Sequence, residues 1–387
     1  MAADPPAKKP QIDERPFLEA TSEAKSRYGR FNLAVIGNTG VGKSSLVNAV
    51  FQRDWAAVGK GLPVTKGVSY YHDDSLGIWD IEGFEIGSAV PPREQLRDHL
   101  KTIEQHPRNE QIAVVWYCVK ADDDRLTRAD IEMIQELDAR GLPVILVLTK
   151  VDWERNALKG SRRPTKGTRE FIDWLENPVD ENGRPITIPF ARVMPTSTRE
   201  RDGKGAGHGL GDLVAETLAL SPADAKDAFR IAQRLNLPWK REMARPVITG
   251  AASLAAGVAA TPIPVGDALA LAPIQLGMMG RIAAIYDLEL KTMMSAGTLA
   301  QLGVQISGQA LARSFLKLIP GAGNAVNASV AAALTVAMGE GWMRLCEQVH
   351  TGKLDLAKVG DAWGEYVPGA LDVVRKMAEQ RVGKKKI

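Results

Sequence analysis

Continuous apolar runs in the first half of the chain predict buried parallel strands. The runs are residues 31–36, 112–119 and 143–148. Apolar positions with helical spacing lie between and after them, in residues 127–140, 168–175 and 210–220. Strands that are apolar at every position are usually buried on both faces, with helices covering them. The pattern therefore predicts an α/β fold with a mostly parallel sheet and flanking helices.

The second half is rich in alanine, glycine and leucine and has the pattern of an all-α domain. Two related turns occur there, Ile-Pro-Val-Gly-Asp ending at Asp267 and Ile-Pro-Gly-Ala-Gly-Asn ending at Asn324. Asp and Asn are preferred residues at helix N-termini. The repeat predicts two helical hairpins, residues 239–286 and 293–348, which can form a four-helix bundle.

Two uncharged stretches leave the environment of this second half open. Residues 247–266 and 318–339 are long enough for membrane spans. Their alanines and glycines contribute little to membrane insertion, and they favour close helix packing in water or in lipid. The sequence therefore slightly favours a tightly packed cytosolic bundle over a bundle that inserts into a membrane or lies on its surface.

These patterns divide the chain into four predicted parts. Residues 1–28, rich in proline and charge, are predicted to be a mobile N-terminal arm. Residues 29–220 are expected to form the α/β domain and residues 221–350 the helical domain. Residues 351–387 are expected to add a C-terminal helix and a basic tail.

Composition and charge add no element to this prediction, but they argue against several classes of function. The 387 residues carry a formal net charge of +3, which is too small to indicate nucleic-acid binding. The two cysteines, Cys118 and Cys346, suggest neither a disulfide framework nor a zinc site, which fits a reducing cytoplasm. The N-terminal residues lack the apolar segment of a signal peptide. None of the five histidines has metal-ligand spacing to another.

The first candidate for chemistry is a glycine-rich loop between a predicted strand and a predicted helix. It reads Gly-Asn-Thr-Gly-Val-Gly-Lys-Ser-Ser and has the Walker A spacing. Backbone N–H groups of such a loop bind phosphate oxygens, and Lys43 can reach the β- and γ-phosphates while Ser44 binds Mg²⁺. The predicted nucleotide-binding residues are Gly37, Asn38, Thr39, Gly40, Val41, Gly42, Lys43, Ser44 and Ser45.

Two later segments can complete a site for Mg²⁺ and the γ-phosphate. Thr65 is predicted in a glycine-flanked loop, where it can bind Mg²⁺, although most loop threonines are only turn residues. Asp80-Ile-Glu-Gly83 ends a short apolar strand, so Asp80 can hold Mg²⁺ through water and the Gly83 N–H can reach the γ-phosphate. The predicted metal ligands are Ser44, Thr65 and Asp80, and the predicted catalytic residues are Lys43, Thr65 and Gly83.

Two more segments are predicted to contact a base. The sequence Thr-Lys-Val-Asp follows the third apolar run and supplies Thr149, Lys150 and Asp152. An ionised Asp152 can accept hydrogen bonds from guanine N1–H and the N2 amine, a donor pair that adenine lacks. Thr196 and Ser197 follow the last predicted strand and are expected to touch the same base.

In this order the segments resemble the five motifs of Era-like GTPases of the translation-factor-related class, over roughly residues 30–220. The resemblance implies GTP binding, Mg²⁺ and hydrolysis to GDP. Thr149 stands where asparagine is commoner, and Thr196-Ser197 where Ser-Ala is usual. Phe84 replaces a glutamine that orients water in many GTPases, so slow intrinsic hydrolysis is expected.

The loop form Thr-Gly-x-Gly-Lys-Ser-Ser is similar to that of septin-related and immunity-related GTPases, which implies a possible homodimer through the G domain. Arg53 and Arg125 are candidates for completing the site of another chain. The second half resembles the uncharacterised helical domain that follows Era-like G domains in bacterial proteins and is often associated with membranes.

The resemblance as a whole implies a nucleotide-dependent switch whose helical domain engages a membrane or a protein partner. Such a switch is expected in the cytoplasm or at the inner face of the plasma membrane. One alternative is a ribosome or RNA assembly GTPase, but no RNA-binding module is recognisable after residue 220, so no nucleic-acid partner is expected. Another is a scaffold that binds GTP without hydrolysing it.

Overall fold

The structure is a computed structural model that describes part of the chain in two compact units. One unit comprises residues 28–236, and the other joins the residues up to 27 with those from 237 onward. The described residues are 13–52, 62–65, 67–81, 90–155, 161–199, 207–260, 267–289 and 324–366.

A seven-stranded sheet organises the first unit. Its strands are β1 (Phe31–Ile36), β2 (Leu62–Thr65), β3 (Val68–His72), β4 (Leu76–Ile81), β5 (Val114–Lys120), β6 (Val144–Thr149) and β9 (Arg192–Pro195). Their order is β2-β3-β4-β1-β5-β6-β9. Strand β3 runs antiparallel to its neighbours β2 and β4, and the other neighbouring pairs are parallel. Strands β7 (Trp153–Arg155) and β8 (Arg162–Pro164) lie between β6 and β9 in the chain and pair as a hairpin, which forms a sheet of its own. The predicted α/β fold with a mostly parallel sheet is confirmed.

Helices flank this sheet. They are α2 (Lys43–Phe51), α3 (Pro92–Glu104), α4 (Arg128–Asp138), α5 (Lys166–Glu176), α6 (Leu210–Leu220) and α7 (Lys226–Ala232). All residues of β1 and β6 are buried, as expected for strands covered on both faces. In α7, the Phe229 ring lies 4.7 Å from the Phe31 ring of β1. The boundary predicted after residue 220 therefore falls before α7, which belongs to the first unit.

The N-terminal segment differs from its prediction. Residues 15–28, expected within a mobile arm, form helix α1 (Arg15–Tyr28). Its residues Phe17, Ala20, Thr21 and Ala24 are buried and share one helical face. The Thr21 hydroxyl lies 3.0 Å from the Gly280 carbonyl oxygen, so α1 is fastened to a helix of the second unit. The helix forms because this face has a partner far along the chain.

The second unit is helical, as the sequence predicts. Its long helices are α8 (Leu237–Ala260), α9 (Asp267–Ile285) and α10 (Asn324–His350), and each packs against the other two. Helices α9 and α10 begin at the two residues predicted as helix starts. Of the predicted hairpins, residues 261–266 and 293–323 lie outside the described residues. Of the predicted C-terminal helix and tail, residues 359–366 are helical, and residues 367–387 lie outside the described part.

Within the described part of the chain, only α8 is long and apolar enough to cross a membrane by length and composition. In its most apolar 18-residue window, 28% of the residues are buried inside the protein. The same criteria are met by core helices of proteins that never enter a membrane.

Candidate nucleotide-binding site

The loop that joins β1 to α2 has the shape needed to hold phosphates. At Gly37 the backbone has φ +147°, and a Cβ there would lie 2.4 Å from the Cys118 carbonyl oxygen, so only glycine fits. Gly42, at φ +111°, immediately precedes the first residue of α2. Asn38, Thr39 and Gly40 are exposed between them. The loop thus leaves its backbone open to a ligand at the N-terminus of a helix, as in phosphate-binding loops.

Lys43 lies folded along this loop. Its side chain is 5% exposed, and Nζ donates to the Gly37 carbonyl oxygen at 2.9 Å. The Asn38 carbonyl oxygen is 3.4 Å from Nζ, and Asp80 Oδ1 is 4.0 Å away. A buried ammonium group is stabilised by such oxygens. Ser44 follows with an exposed position in the first turn of α2.

Strand register places the predicted metal-binding residues at one end of the sheet. Asp80 lies opposite Val35, next to the end of β1. Thr65 is the last residue of β2 and pairs with Val68, which in turn pairs with Ile81 of β4. Thr65 therefore ends a strand rather than lying in the predicted loop.

Three predicted residues cannot be placed. Gly83, Phe84 and Arg53 lie outside the described residues. Arg125 is exposed, as its candidate role would require. Cys118, beside the loop, is buried, and burial raises the pKa of its thiol to about 12. The thiol stays protonated, and Cys118 packs as a small core residue.

The Thr-Lys-Val-Asp segment is tied to the phosphate-binding loop. The buried Thr149 hydroxyl lies 2.6 Å from the Val41 carbonyl oxygen and 3.2 Å from that of Val119. Lys150, at φ +55°, donates from Nζ to the Gly40 carbonyl oxygen at 2.6 Å. These contacts hold the end of β6 against the loop. A threonine suffices at the position where asparagine is commoner, because a hydroxyl can reach the loop carbonyl.

A cavity of about 590 Å³ opens beside this segment. Asp152, Ser197 and Lys150, three of the residues predicted to contact a base, line it. Thr196 does not line it, since this residue is 1% exposed and its hydroxyl bonds to the Leu148 carbonyl oxygen at 3.0 Å. The other lining residues are Val151, Trp153, Glu154, Arg162, Thr165, Thr198, Arg199 and His208.

Sequence reasoning missed most of these lining residues. Trp153 and Arg162 come from the β7–β8 hairpin, whose charged residues give no strand pattern. His208 precedes α6 in a glycine-rich segment that reads as a connector. Two of these lining residues could have been inferred from their position next to a predicted site residue in the sequence. Trp153 directly follows Asp152, and Thr198 directly follows Ser197.

Among the described residues, no group of three or more His, Cys, Asp or Glu side chains is placed to hold a metal ion. A Mg²⁺ ion bound together with nucleotide phosphates needs fewer protein ligands, since water and phosphate oxygens complete its octahedron. The Ser44 hydroxyl in the first turn of α2 and the Asp80 carboxylate, 4.0 Å from Lys43 Nζ, are oxygen groups of the kind that such an ion prefers.

Comparison with known proteins agrees with this geometry. Residues 32–150 match the family model of the 50S ribosome-binding GTPases, and residues 223–370 match a domain of unknown function, DUF697. The chain is 31% identical over 120 residues to a probable GTP-binding protein EngB of Aquifex aeolicus, covering 30% of this chain and 64% of that protein. It is 27% identical over 198 residues to the GTPase Der of Syntrophotalea carbinolica, covering 50% and 37%.

Each of these alignments spans less than two thirds of the relative's own length. A crystal structure of an Era variant from Aquifex aeolicus bound to GDP and aluminium fluoride aligns with 60% of this chain at 18% identity, with a TM-score of 0.30. That score is too low to support an argument about the site. The matched domains and their order, together with the sheet and loop described above, show a GTPase domain followed by a helical domain.

Proposed function

We propose that the first unit binds GTP and GDP in this site and hydrolyses GTP slowly with the help of Mg²⁺. The observation that carries the proposal is the double contact of the Thr149-Lys150 pair with the Val41 and Gly40 carbonyl oxygens. It places the cavity at Asp152 directly beside the phosphate-binding loop. A base and its phosphates would then bind to two segments whose spacing is fixed.

The phosphate side supplies electrostatic stabilisation. Lys43 already lies among loop oxygens, and a bound polyphosphate would offer its ammonium group stronger anionic partners. Ser44 and Thr65 hydroxyls, with Asp80 through water, would hold Mg²⁺ against the phosphates. The ion would neutralise charge that develops during cleavage. Loop N–H groups at the helix N-terminus would orient the phosphates for attack by water.

The base side supplies selectivity. Asp152 lines the cavity and can accept two hydrogen bonds from guanine. Adenine would leave this carboxylate without its donors, which is a strongly unfavourable arrangement. The site is therefore expected to prefer GDP over ADP. The relatives named EngB carry the description GTP-binding, which agrees with this choice.

Hydrolysis by the isolated chain is expected to be slow. Phe84 follows Gly83 in the sequence where many GTPases have a glutamine, and its ring cannot orient water by hydrogen bonding. The expected rate is at or below the ~10⁻² s⁻¹ of unassisted switches. A second copy of the chain or another partner would then complete the site, with Arg125 as one exposed candidate.

A single-turnover assay with radiolabelled GTP tests this function. Lys43→Ala should lower GTP affinity and hydrolysis by about a hundredfold or more, because it removes a charged phosphate contact. Lys166→Ala is the matched control, since that lysine is 81% exposed on α5. Equal hydrolysis by both variants would contradict the proposal. Binding without any cleavage would instead identify a GTP-stabilised scaffold.

We further propose that the helical unit passes the nucleotide state to a membrane or protein partner. The support is the membrane-spanning length of α8 together with its low burial. Flotation with liposomes in GDP and in a non-hydrolysable GTP analogue tests the membrane partner. Flotation that requires the analogue and is lost in Lys43→Ala would support it, and flotation in no state would refute it.

A second candidate function is suggested by the description of the matching family, 50S ribosome-binding GTPase. Sedimentation through a sucrose gradient with ribosomal subunits tests it directly. Association of the unsubstituted protein with the large subunit in the GTP-analogue state, absent in Lys43→Ala, would favour this function over the membrane switch.

A further inference from the structure

Two aromatic rings lie side by side in the wall of the cavity at Asp152. Trp153 and His208 both line it, and their ring centroids are 5.1 Å apart with an angle of 41° between the planes. They come from separate segments, the β7–β8 hairpin and the approach to α6. Neither residue belongs to the motifs that predict the nucleotide site. Their meeting at the cavity is a property of the fold.

His208 is held at this place by main-chain contacts. Its N–H donates to the Ser197 carbonyl oxygen at 2.9 Å, and the Ser197 N–H donates back to the His208 carbonyl oxygen at 3.0 Å. Glycines flank it on both sides. A Cβ at Gly207 would lie 2.2 Å from the Ser197 carbonyl oxygen, and one at Gly209 would lie 2.0 Å from that of Pro195. The segment thus approaches β9 closely and carries the His208 ring with it.

Trp153 is held from the other side. It pairs with Pro164 in the hairpin, and the Thr165 N–H donates to the Asp152 carbonyl oxygen at 3.0 Å. The indole Nε1 is shielded from solvent and has no hydrogen-bond partner among the described residues. A buried donor without a partner is unfavourable for stability, and phenylalanine would avoid it. Stability alone therefore does not explain a tryptophan here.

We propose that Trp153 and His208 form an aromatic wall that packs against the purine ring of the bound nucleotide. The inference rests on the proposed function of the same site. Base–aromatic packing is favourable for any base, because every base has a π face. The aromatic wall would supply binding strength, while Asp152 would supply the choice of guanine. Trp153 and His208 are positioning residues for the base and take no part in cleavage.

Four variants of the full chain test the proposal, with GDP binding measured by calorimetry. Trp153→Leu and His208→Ala should each weaken GDP binding by about tenfold or more, because each removes one ring from the wall. Trp153→Phe and His208→Phe keep a ring and should stay within about threefold of the unsubstituted protein. Trp153→Leu and His208→Ala should raise KM for GTP and leave kcat unchanged. A general loss of folded protein would instead lower the apparent kcat.

His208→Ala keeps both main-chain hydrogen bonds of the segment, so it tests the wall even if Trp153→Leu fails to fold. Unchanged GDP affinity in His208→Ala would overturn the proposal. Equal losses in the alanine and phenylalanine variants, with lowered melting temperatures, would also overturn it by showing a structural role. If the unsubstituted protein binds GDP while the variants bind it equally well, only this inference fails. If the unsubstituted protein binds no nucleotide, the proposed function fails with it.

Discussion

The two units of the chain use buried polar side chains for different purposes. In the first unit, Lys43 and Thr149 are buried against carbonyl oxygens of the phosphate-binding loop, at one end of the sheet. In the second, Thr21, Lys240 and Trp342 come from three different helices, and each donates to a carbonyl oxygen of α9. The first group of contacts shapes a ligand-binding loop, whereas the second joins helices to one another. The chemistry therefore belongs to the first unit.

Glycines show the same contrast. In the first unit, Gly37 allows the phosphate-binding loop to pass close to β5, since a Cβ there would lie 2.4 Å from the Cys118 carbonyl oxygen. Gly280 gives the second unit room for a helix contact, since a Cβ would lie 2.3 Å from the Phe17 carbonyl oxygen. One residue type serves binding in one unit and packing in the other. Substitutions can separate these roles.

The largest stability effect is expected at Glu136 in the first unit. Its buried carboxylate accepts from Arg97 at 2.8 Å and 3.0 Å, from Arg93 at 3.1 Å and from Arg140 at 3.4 Å. These hydrogen bonds, Arg97 first, lower the pKa of Glu136 to about 2. A lowered carboxylate pKa stabilises the fold above about pH 4.5, and this stability is lost as the pH falls towards 2.

The free energy of unfolding of the first unit should therefore fall between about pH 5 and pH 2, by at most about 3 kcal/mol from this group. Glu136→Gln should flatten that fall, and Glu132→Gln, on the same helix beside the exposed Arg128, should leave it almost unchanged. The free energy of unfolding is measured by urea titration at each pH, and hydrogen exchange in peptides from each unit shows which unit unfolds. An unchanged pH dependence in Glu136→Gln would refute it.

A smaller effect is expected at Gly280 in the second unit. Gly280→Ala would push Cβ against the Phe17 carbonyl oxygen and to 2.8 Å from the Thr21 hydroxyl, so α1 must shift. We expect a loss of about 1 to 3 kcal/mol in the second unit, as for other overpacked sites. GDP affinity should not change, because the nucleotide site lies in the first unit. Weakened GDP binding would show that the two roles are not separate.

The smallest effect is expected at Gly250, which also lies in a helix of the second unit. No described atom lies within 4 Å of a Cβ built there. Gly250→Ala should therefore stabilise α8 by about 0.5 to 1 kcal/mol, since alanine loses less conformational freedom than glycine in a helix. Thermal melting measures the difference. A destabilised variant would indicate a neighbour at this face of α8.

Strong local patterns made part of the fold predictable. Residues 31–36 form the predicted strand, and residues 210–220 form the predicted helix. Both are decided by their own apolar side chains, which leave one arrangement for burial. The phosphate-binding loop was equally readable, because Gly37 approaches another main-chain segment closely and Gly40 and Gly42 have positive φ angles.

Elements that depend on distant partners were not predictable in the same way. Helix α1 buries Phe17, two alanines and a threonine, a face too weakly apolar to read without its partner α9. The β7–β8 hairpin carries Arg155 opposite Arg162, and such charges give no strand signal. The wall of the cavity at Asp152 is formed by residues of this hairpin together with His208, so it could not be predicted from either segment alone. For the same reason, most of the residues around the expected base appear only in the folded structure.

The most direct test of the account is nucleotide choice by Asp152→Asn. The asparagine amide can donate to the C2 carbonyl oxygen of xanthine but no longer accepts both guanine hydrogen bonds. We expect GDP affinity to fall by about a hundredfold or more and affinity for xanthosine diphosphate to rise above that for GDP. Asp138→Asn, at an exposed position ending α4, is the matched control and should change neither affinity. Unchanged GDP binding in Asp152→Asn would contradict a guanine site in this cavity.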